Sequence, residues 1–198
     1  MSINTIVIAG FCFLAGRSGA QDCTLKPDCK PLKGGVCITE GKVWDDLLEE
    51  NCVNRRWLVP GFTVNLGGIA CDSFLIAQGK LVGIEGNAQV HMGFALDFCD
   101  RGIGTNAGKS PIKWKVTGRK GKRILKVEWQ NVGFFEEWSY EGECCHFLNF
   151  QVWVHEKGQR MELRLGKLNL TAEQTDMIVQ ALNPDDAGRG MKSLTGQP

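Results

Sequence analysis

Two adjacent carboxylates lie among aromatic side chains in the second half of the chain: Glu136 and Glu137, flanked by Phe135, Trp138 and Tyr140. Aromatic rings stack on sugar rings while carboxylates accept bonds from sugar hydroxyls, so the segment could bind a carbohydrate. Glycoside hydrolysis needs two carboxyl groups at a set separation, which neighbouring residues in a loop seldom provide. A hydrolase is therefore the weaker prediction, and we favour the alternative of a loop in which Phe134, Phe135 and Trp138 fold back over the core.

A second set of carboxylates suggests a cation site. Asp97 and Asp100 stand three residues apart near the end of a predicted strand, and Asp72 or Glu85 could add oxygen ligands for calcium. The Asp-x-Asp-x-Asp-Gly pattern of calcium loops is missing. The alternatives are solvated carboxylates or an ion pair with Arg101. We predict no catalytic residue and no cofactor, with calcium kept as an alternative.

The chain has nine cysteines. Cys12 falls in a predicted signal peptide, which leaves an even number that favours disulfides in an exported protein, although eight cysteines allow 105 pairings. These eight are Cys23, Cys29, Cys37, Cys52, Cys71, Cys99, Cys144 and Cys145.

The tightest cluster is Cys144-Cys145-His146. A zinc site fits its spacing poorly. A vicinal disulfide between the neighbouring cysteines would be strained and easily reduced. We favour the alternative in which each cysteine pairs elsewhere and ties segment 135–147 to the sheet.

The first twenty residues resemble a secretory signal. Ile6–Ala15 is apolar but too short for a membrane span, and Ser18-Gly-Ala20 offers small residues for cleavage before Gln21. The usual Lys or Arg near the start is missing, and a buried strand is the alternative. Residues 1–20 are thus a predicted signal peptide, and we expect a secreted, surface or periplasmic protein with no membrane span after cleavage.

Composition limits the fold and the partners. The chain has 198 residues, 43% of them hydrophobic, which suits one globular domain, and its net charge of +1 argues against nucleic acid as the main partner. The 25 glycines and a single long helical pattern favour an all-β architecture.

Two segments alternate between apolar and polar residues with the period of a half-buried strand: Arg123–Asn131 and Leu148–Glu156. Lys157-Gly158 predicts a tight turn into a third strand that ends at Gly166. That turn pairs Val154 with Met161, Trp153 with Glu162, and Val152 with Leu163, which matches apolar with apolar residues. With the strand from Ile112 to Val116, we predict an antiparallel sheet of at least four strands.

One aromatic residue falls on the polar side of this sheet. Trp153 shares that face with Gln151, His155, Glu162 and Arg164. It could serve as a ligand platform, but we favour the alternative in which the N-terminal arm covers it.

The predicted organisation has four parts. After the signal, residues 21–56 form a cysteine-rich arm and residues 57–170 form an antiparallel β-sandwich of jelly-roll type, with glycine-punctuated strands. Residues 171–198 form a short helix and a polar tail. Thr171-Ala-Glu-Gln174 is a capping box that opens this helix, and Asn183-Pro184 ends it.

Several blocks follow one another in a familiar order: Phe94–Gly102, Ser110–Gly118, Gly121–Phe134, Asn149–Glu156 and Met161–Gly166. In this order the chain, over residues 57–198, resembles the N-terminal β-sandwich module of exported Bacteroidota proteins that use type IX secretion. The resemblance implies secretion or surface display and a lectin-like sandwich, with no catalytic motif to carry over. The cysteine-rich arm departs from that module, and the usual C-terminal sorting domain has no counterpart, which leaves another export route or a longer precursor open.

We therefore predict a secreted or cell-surface β-sandwich that acts as a non-catalytic binding or structural module. Its alternatives are a carbohydrate-binding domain, a subunit of an extracellular assembly in which a sheet edge accepts a neighbour's strand, and, as the weakest, an extracellular hydrolase. Expected partners are a glycan, another surface protein or further copies of the same chain.

Overall fold

The computed structural model describes residues 29–43, 57–94, 96–158 and 160–182. The predicted signal peptide, Cys23 and Cys52 lie outside these ranges. Strands account for 47% of the structure and helices for 12%, which confirms the predicted all-β class.

The larger sheet, sheet A, has six antiparallel strands: β1 (Val36–Cys37), β8 (Phe98–Asp100), β9 (Ile112–Thr117), β10 (Ile124–Phe134), β11 (Phe147–His155) and β12 (Met161–Asn169). Their order is β1-β9-β10-β11-β12. Strand β10 is long enough to pair with β9 along its first half and with β8 at its end.

The smaller sheet, sheet B, has the order β2-β5-β6-β7. Its strands are β2 (Trp57–Leu58), β5 (Ser73–Ala77), β6 (Lys80–Glu85) and β7 (Ala88–Gly93). A separate hairpin joins β3 (Val64–Leu66) to β4 (Ile69–Cys71).

The apolar core lies between the two sheets. Trp129 of β10 stacks on Phe150 of β11 with the ring centroids 4.9 Å apart, and Phe94, which follows β7, meets Phe150 edge to face at 5.0 Å. All three side chains are buried. Aromatic pairs in these geometries add packing energy to area burial, so this cluster helps to hold the sheets together as a sandwich.

The predicted hairpin register is confirmed. Val154 faces Met161, Trp153 faces Glu162, and Val152 faces Leu163. Gly158 has φ 88, the left-handed conformation that the tight turn requires. Because a slip by one residue would turn every side chain to the other face, this register decides which residues lie on the polar side.

Strand β10 extends beyond the predicted end at Asn131. A bulge falls between Trp129 and Val132, where Asn131 takes φ 55 and donates its amide to the Asn149 side chain. A bulge increases the local bend of a strand, and after this one β10 pairs with β8 instead of β9. Alternation alone did not indicate the extra residues.

Two helices occur among the described residues. Helix α1 (Phe135–Glu141) replaces the predicted loop and ends at Gly142, which is left-handed with φ 76. Helix α2 (Ala172–Ala181) has the predicted capping box, in which the Thr171 hydroxyl accepts from the Gln174 amide. Neither helix has the length and apolar character needed to cross a membrane.

Candidate functional site

The face of sheet A that points away from the core carries buried polar side chains. Glu128 of β10 is 2% exposed, Gln151 of β11 is 1% exposed, and Glu162 of β12 is 2% exposed. Charged residues are almost never fully buried unless they are paired, so each of these groups needs partners. We call this side of the sheet the polar face.

Residues 29–37 of the predicted N-terminal segment cover part of the polar face, and from here on we call these residues the arm. The Cys29 amide donates to the Leu165 carbonyl of β12 at 3.1 Å, and the Lys30 carbonyl accepts from the Gln151 side chain at 2.8 Å. The Leu32 amide then donates to the Glu128 carboxylate at 3.0 Å. The arm therefore crosses β12, β11 and β10 in turn.

At the far side of the sheet the arm becomes a strand. The Lys33 carbonyl accepts from the Lys115 ammonium at 2.7 Å, and β1 then pairs with β9, with Val36 opposite Trp114. All of these contacts use main-chain groups of the arm. The polar face thus binds the main chain of an extended segment, and these contacts depend little on which side chains that segment carries.

Glu128 lies at the centre of this arrangement. Burial raises the pKa of its carboxyl group, although hydrogen bonds from the Leu32 amide and the Gln151 side chain, and the charges of Lys113 and Lys115, favour the ionised form. The Gln151 amide nitrogen bridges the system, since it donates both to Glu128 and to the Lys30 carbonyl. The Glu128 carboxylate is therefore linked to the arm twice, directly by the Leu32 amide and indirectly through the Gln151 side chain.

Trp153 lies between two cations. The Lys126 ammonium stands 3.4 Å from the ring centroid and the Arg164 guanidinium 4.0 Å, and the two come from the strands on either side of β11. Its indole nitrogen donates to Gln151 at 2.7 Å. Cation–π contacts of this kind hold an aromatic ring in place, so Trp153 presents an engaged ring and not an open platform. Its half-buried side chain belongs to the polar face beside the arm.

Glu162 gathers several positive partners. Its carboxylate accepts from His155 at 2.6 Å, contacts Arg160 at 2.8 Å, and forms a two-nitrogen contact with Arg164. Burial alone raises the pKa of Glu162, but the hydrogen bonds from Arg164 and His155 and the nearby guanidinium charges outweigh it, so the pKa is lowered. The pKa of Lys126 is also lowered, by burial and by the charges of Lys115 and Arg164, which disfavour its charged form.

The predicted sugar-binding residues lie on helix α1. Tyr140 is 82% exposed, and Trp138 is half-buried beside Phe135, with ring centroids 5.4 Å apart. Glu136 is exposed, whereas the Glu137 carboxylate accepts from the backbone amides of residues 145 and 146. Positions 138 and 140 are two residues apart in a helix and so point in different directions.

The two aspartates of the predicted calcium site, Asp97 and Asp100, have different surroundings. Asp97 is exposed, while the buried Asp100 carboxylate accepts from the amides of Gly102, Lys109 and Ser110 and organises the loop that follows β8. Within the described ranges, one group has ligand atoms close enough for a metal, all within 4.8 Å: Glu137, Glu141 and Cys145. Its thiol does not suit calcium, which prefers oxygen ligands.

Six of the predicted disulfide cysteines lie in the described parts of the chain. Cys99 and Cys144 are buried with their sulfur atoms 3.3 Å apart, whereas the neighbouring Cys145 is exposed. The pKa of Cys71 is raised to about 11, mainly by burial and to a lesser extent by the negative charges of Glu85 and Asp72. Its thiol therefore stays protonated near neutral pH. Cys29 and Cys37 are half-buried at the two ends of the arm.

The sequence placed Gln151, Trp153 and Glu162 on one polar face and favoured the N-terminal arm as the cover of Trp153, but it did not indicate Glu128 or the individual main-chain contacts of the arm. Glu128 alternates with Lys126 in an ordinary strand pattern and so resembles a solvent-facing residue. The crossing of the arm has no local signal, because it depends on main-chain groups.

The opposite pKa shifts of two buried carboxylates predict opposite pH dependences. Glu128, with a raised pKa, contributes stability that is present below the unfolded pKa and is lost as the pH rises through the folded pKa. The difference in unfolding free energy, wild type minus Glu128→Gln, is therefore expected to grow as the pH falls from about 7 to about 3. Urea unfolding across this range measures it.

Glu162→Gln is the matched control. The pKa of Glu162 is lowered, so its contribution is present above the unfolded pKa and is lost as the pH falls through the folded pKa. The same difference is thus expected to shrink with acidification. Equal pH slopes for the two variants would contradict the assignment of the two carboxylates.

No protein-family profile, curated protein or solved structure matches the chain. The polar face and helix α1 are therefore the two parts of the structure from which a function can be inferred.

Proposed function

We propose that this protein is an exported, non-catalytic binding or structural β-sandwich module, whose polar face receives extended polypeptide. The observation that carries this proposal is the path of the arm, residues 29–37, across sheet A. Four main-chain groups of the arm bond to Leu165, Gln151, Glu128 and Lys115 before the arm adds a strand to the sheet. Strand addition of this type is a general mode of peptide recognition.

The polar face also requires an occupant. Glu128 is buried and its oxygens accept from the Leu32 amide and from Gln151. A buried acceptor that loses its donor costs about 1–3 kcal/mol, and more when it is charged. A polypeptide that presents an amide at this point therefore stabilises the face, whether it comes from the same chain or from another molecule.

Export is supported by the apolar segment Ile6–Ala15 and the small residues before Gln21. The resemblance to the β-sandwich modules of exported Bacteroidota proteins supports a place at the cell surface. We include both in the proposal.

A carbohydrate-binding role at helix α1 is the second candidate. It is favoured by the exposure of Phe135, whose ring lies beside Trp138, and of Tyr140 on another side of the helix, with Glu136 and Glu141 outside the contacts that occupy Glu137. Exposed aromatic side chains near carboxylates can stack on sugar rings and accept bonds from hydroxyl groups.

An assembly subunit is the third candidate, and it uses the same face. The arm of a neighbouring copy could make the main-chain contacts that residues 29–37 make within one chain. The occupant of the polar face would then be a second copy, and the mass of the protein in solution would depend on its concentration.

The polypeptide-binding proposal predicts a specific effect of Leu32→Pro. Proline has no amide hydrogen, so the substitution removes the donor to Glu128 and weakens the hold on the protein's own arm. A labelled peptide of residues 29–40, with Cys29→Ser and Cys37→Ser, is then expected to bind the Leu32→Pro variant about tenfold more tightly than it binds wild type. The size of the effect follows from the lost bond of the protein's own arm, because a hydrogen bond to a charged group contributes about 1.5–3 kcal/mol. Fluorescence anisotropy measures this affinity.

Leu32→Ala is the control, because it shortens the same side chain and keeps the amide. Its affinity for the peptide is expected to stay close to that of wild type. Equal binding by the proline and alanine variants, or binding by neither, would show that the polar face does not receive polypeptide. A mass that rises with concentration for the alanine variant but not for the proline variant would identify the occupant as a second copy.

The carbohydrate candidate predicts that Trp138→Ala and Tyr140→Ala each reduce binding on a glycan array. Removing one stacking ring from a small site is expected to weaken affinity by up to about tenfold, given about 0.5–1.5 kcal/mol per aromatic contact. Trp153→Ala is a useful comparison, because that ring is already held by Lys126 and Arg164. If all three variants bind as wild type does, helix α1 is not a sugar site.

Export predicts a mature chain that begins at Gln21. Intact mass spectrometry of the protein recovered outside the cytoplasm checks this, with Gln21–Pro198 as the expected species. A recovered protein that still carries Met1 would remove export from the proposal.

A further inference from the structure

Two buried cysteines from distant parts of the sequence meet at the end of sheet A. Cys99 lies in β8 and Cys144 follows helix α1, 45 residues later, yet their sulfur atoms are 3.3 Å apart. The bond length of a disulfide is about 2.05 Å, so a closure of roughly 1 Å would join them. Small side-chain rotations and backbone shifts supply a movement of this size.

A glycine opens the space that allows this approach. Gly133 of β10 is the strand partner of Cys99, and a Cβ atom added to it would lie 2.8 Å from both the Cβ and the Sγ of Cys144. Real Cβ contacts essentially never come this close. The Cys144 side chain therefore occupies the position that any other residue at 133 would fill, and there it lies beside Cys99.

The backbone of Cys144 is also anchored. Its carbonyl accepts from the Arg101 guanidinium at 2.8 Å, and the same guanidinium donates to the Asn131 side chain at 2.6 Å. Arg101 is only two residues after Cys99, so one side chain ties the two cysteine-bearing segments together. At the start of α1, the Phe135 amide donates to the Asp97 carbonyl at 3.0 Å, which holds the same segments from the other end.

We propose that Cys99 and Cys144 form a disulfide that fastens helix α1 and the segment after it to β8. The oxidant is a disulfide, either a small molecule such as oxidised glutathione or an oxidised dithiol protein. The thiolate of one cysteine attacks this disulfide and releases one thiol; the thiolate of the other then attacks the mixed disulfide and releases the second thiol. The two protons lost by the cysteines end on the two released thiols.

The neighbouring Cys145 does not compete by geometry. Its side chain is exposed, whereas Cys144 is buried against Gly133 and points towards β8. Its thiol belongs instead to the group of ligand atoms with Glu137 and Glu141. The assigned pair therefore joins Cys144 to Cys99 and leaves Cys145 to other chemistry. This inference is independent of what the polar face binds.

Peptide mapping tests the pair directly. The full chain is incubated with oxidised glutathione, alkylated in denaturant without reduction, and digested with trypsin. We expect a linked pair of peptides, Leu81–Arg101 with Val127–Lys157, lighter than the sum of the two by two hydrogen atoms. Because the second peptide carries both Cys144 and Cys145, the digest is repeated on Cys145→Ser, which is expected to retain the link, and on Cys144→Ser, which is expected to lose it.

Thermal unfolding supplies a second readout. A link that closes a loop of this length is expected to raise the melting temperature by about 5–10 °C in a chain of this size. The melting temperatures of oxidised and reduced protein are compared for two variants. Their difference should be smaller by about 5–10 °C in Cys99→Ala/Cys144→Ala than in Cys145→Ser, which controls for the effect of other disulfides. Alkylation of Cys99 and Cys144 in the oxidised wild type, or a link from Cys144 to any other cysteine, would overturn the proposal.

Discussion

The bond between the Leu32 amide and the Glu128 carboxylate is the constraint on which the arrangement of sheet A depends. A buried carboxylate is expensive unless hydrogen bonds replace its lost water. Here the partners come from the arm and from Gln151, which itself donates to the Lys30 carbonyl. The arm is therefore part of the fold, since the polar face is stable in this form only when an extended chain lies across it.

The loss of hydration on this face also explains the contacts of its other polar side chains. On the same face, Lys126 and Arg164 are half-buried and cannot keep full hydration, and they contact the Trp153 ring and the Glu162 carboxylate instead. At the other end of the sheet, the bulge at Asn131 allows β10 to change partners from β9 to β8. That change places Cys99 opposite Gly133, and it brings the segment after α1 to the same point.

Local patterns predicted the centre of the fold because its side chains alternate with period two. The hairpin register, the capping box at Thr171 and the all-β class follow from residues close in sequence, and all three are confirmed. Helix α1 was missed because Phe135 and Trp138 have no strong helical periodicity over seven residues.

The candidate site was only partly predictable from the residues. The polar face could be assigned through its register, which depends on neighbours, but the burial of Glu128 depends on main-chain atoms about a hundred residues away. The approach of Cys99 to Cys144 depends on a bulge and on a glycine, and pairing rules for strands describe neither. Long-range contacts that use the backbone leave no residue pattern to detect.

The path of the arm has a consequence for the edges of sheet A. A sheet edge with unpaired amides and carbonyls is a template for aggregation. The arm lays β1 along the exposed side of β9, and on the opposite side of the sheet it occupies the Leu165 carbonyl of β12. One short segment thus pairs with the edge of β9 and bonds one carbonyl of β12, so the same residues that cover the buried carboxylate also reduce the number of edge groups open to another strand.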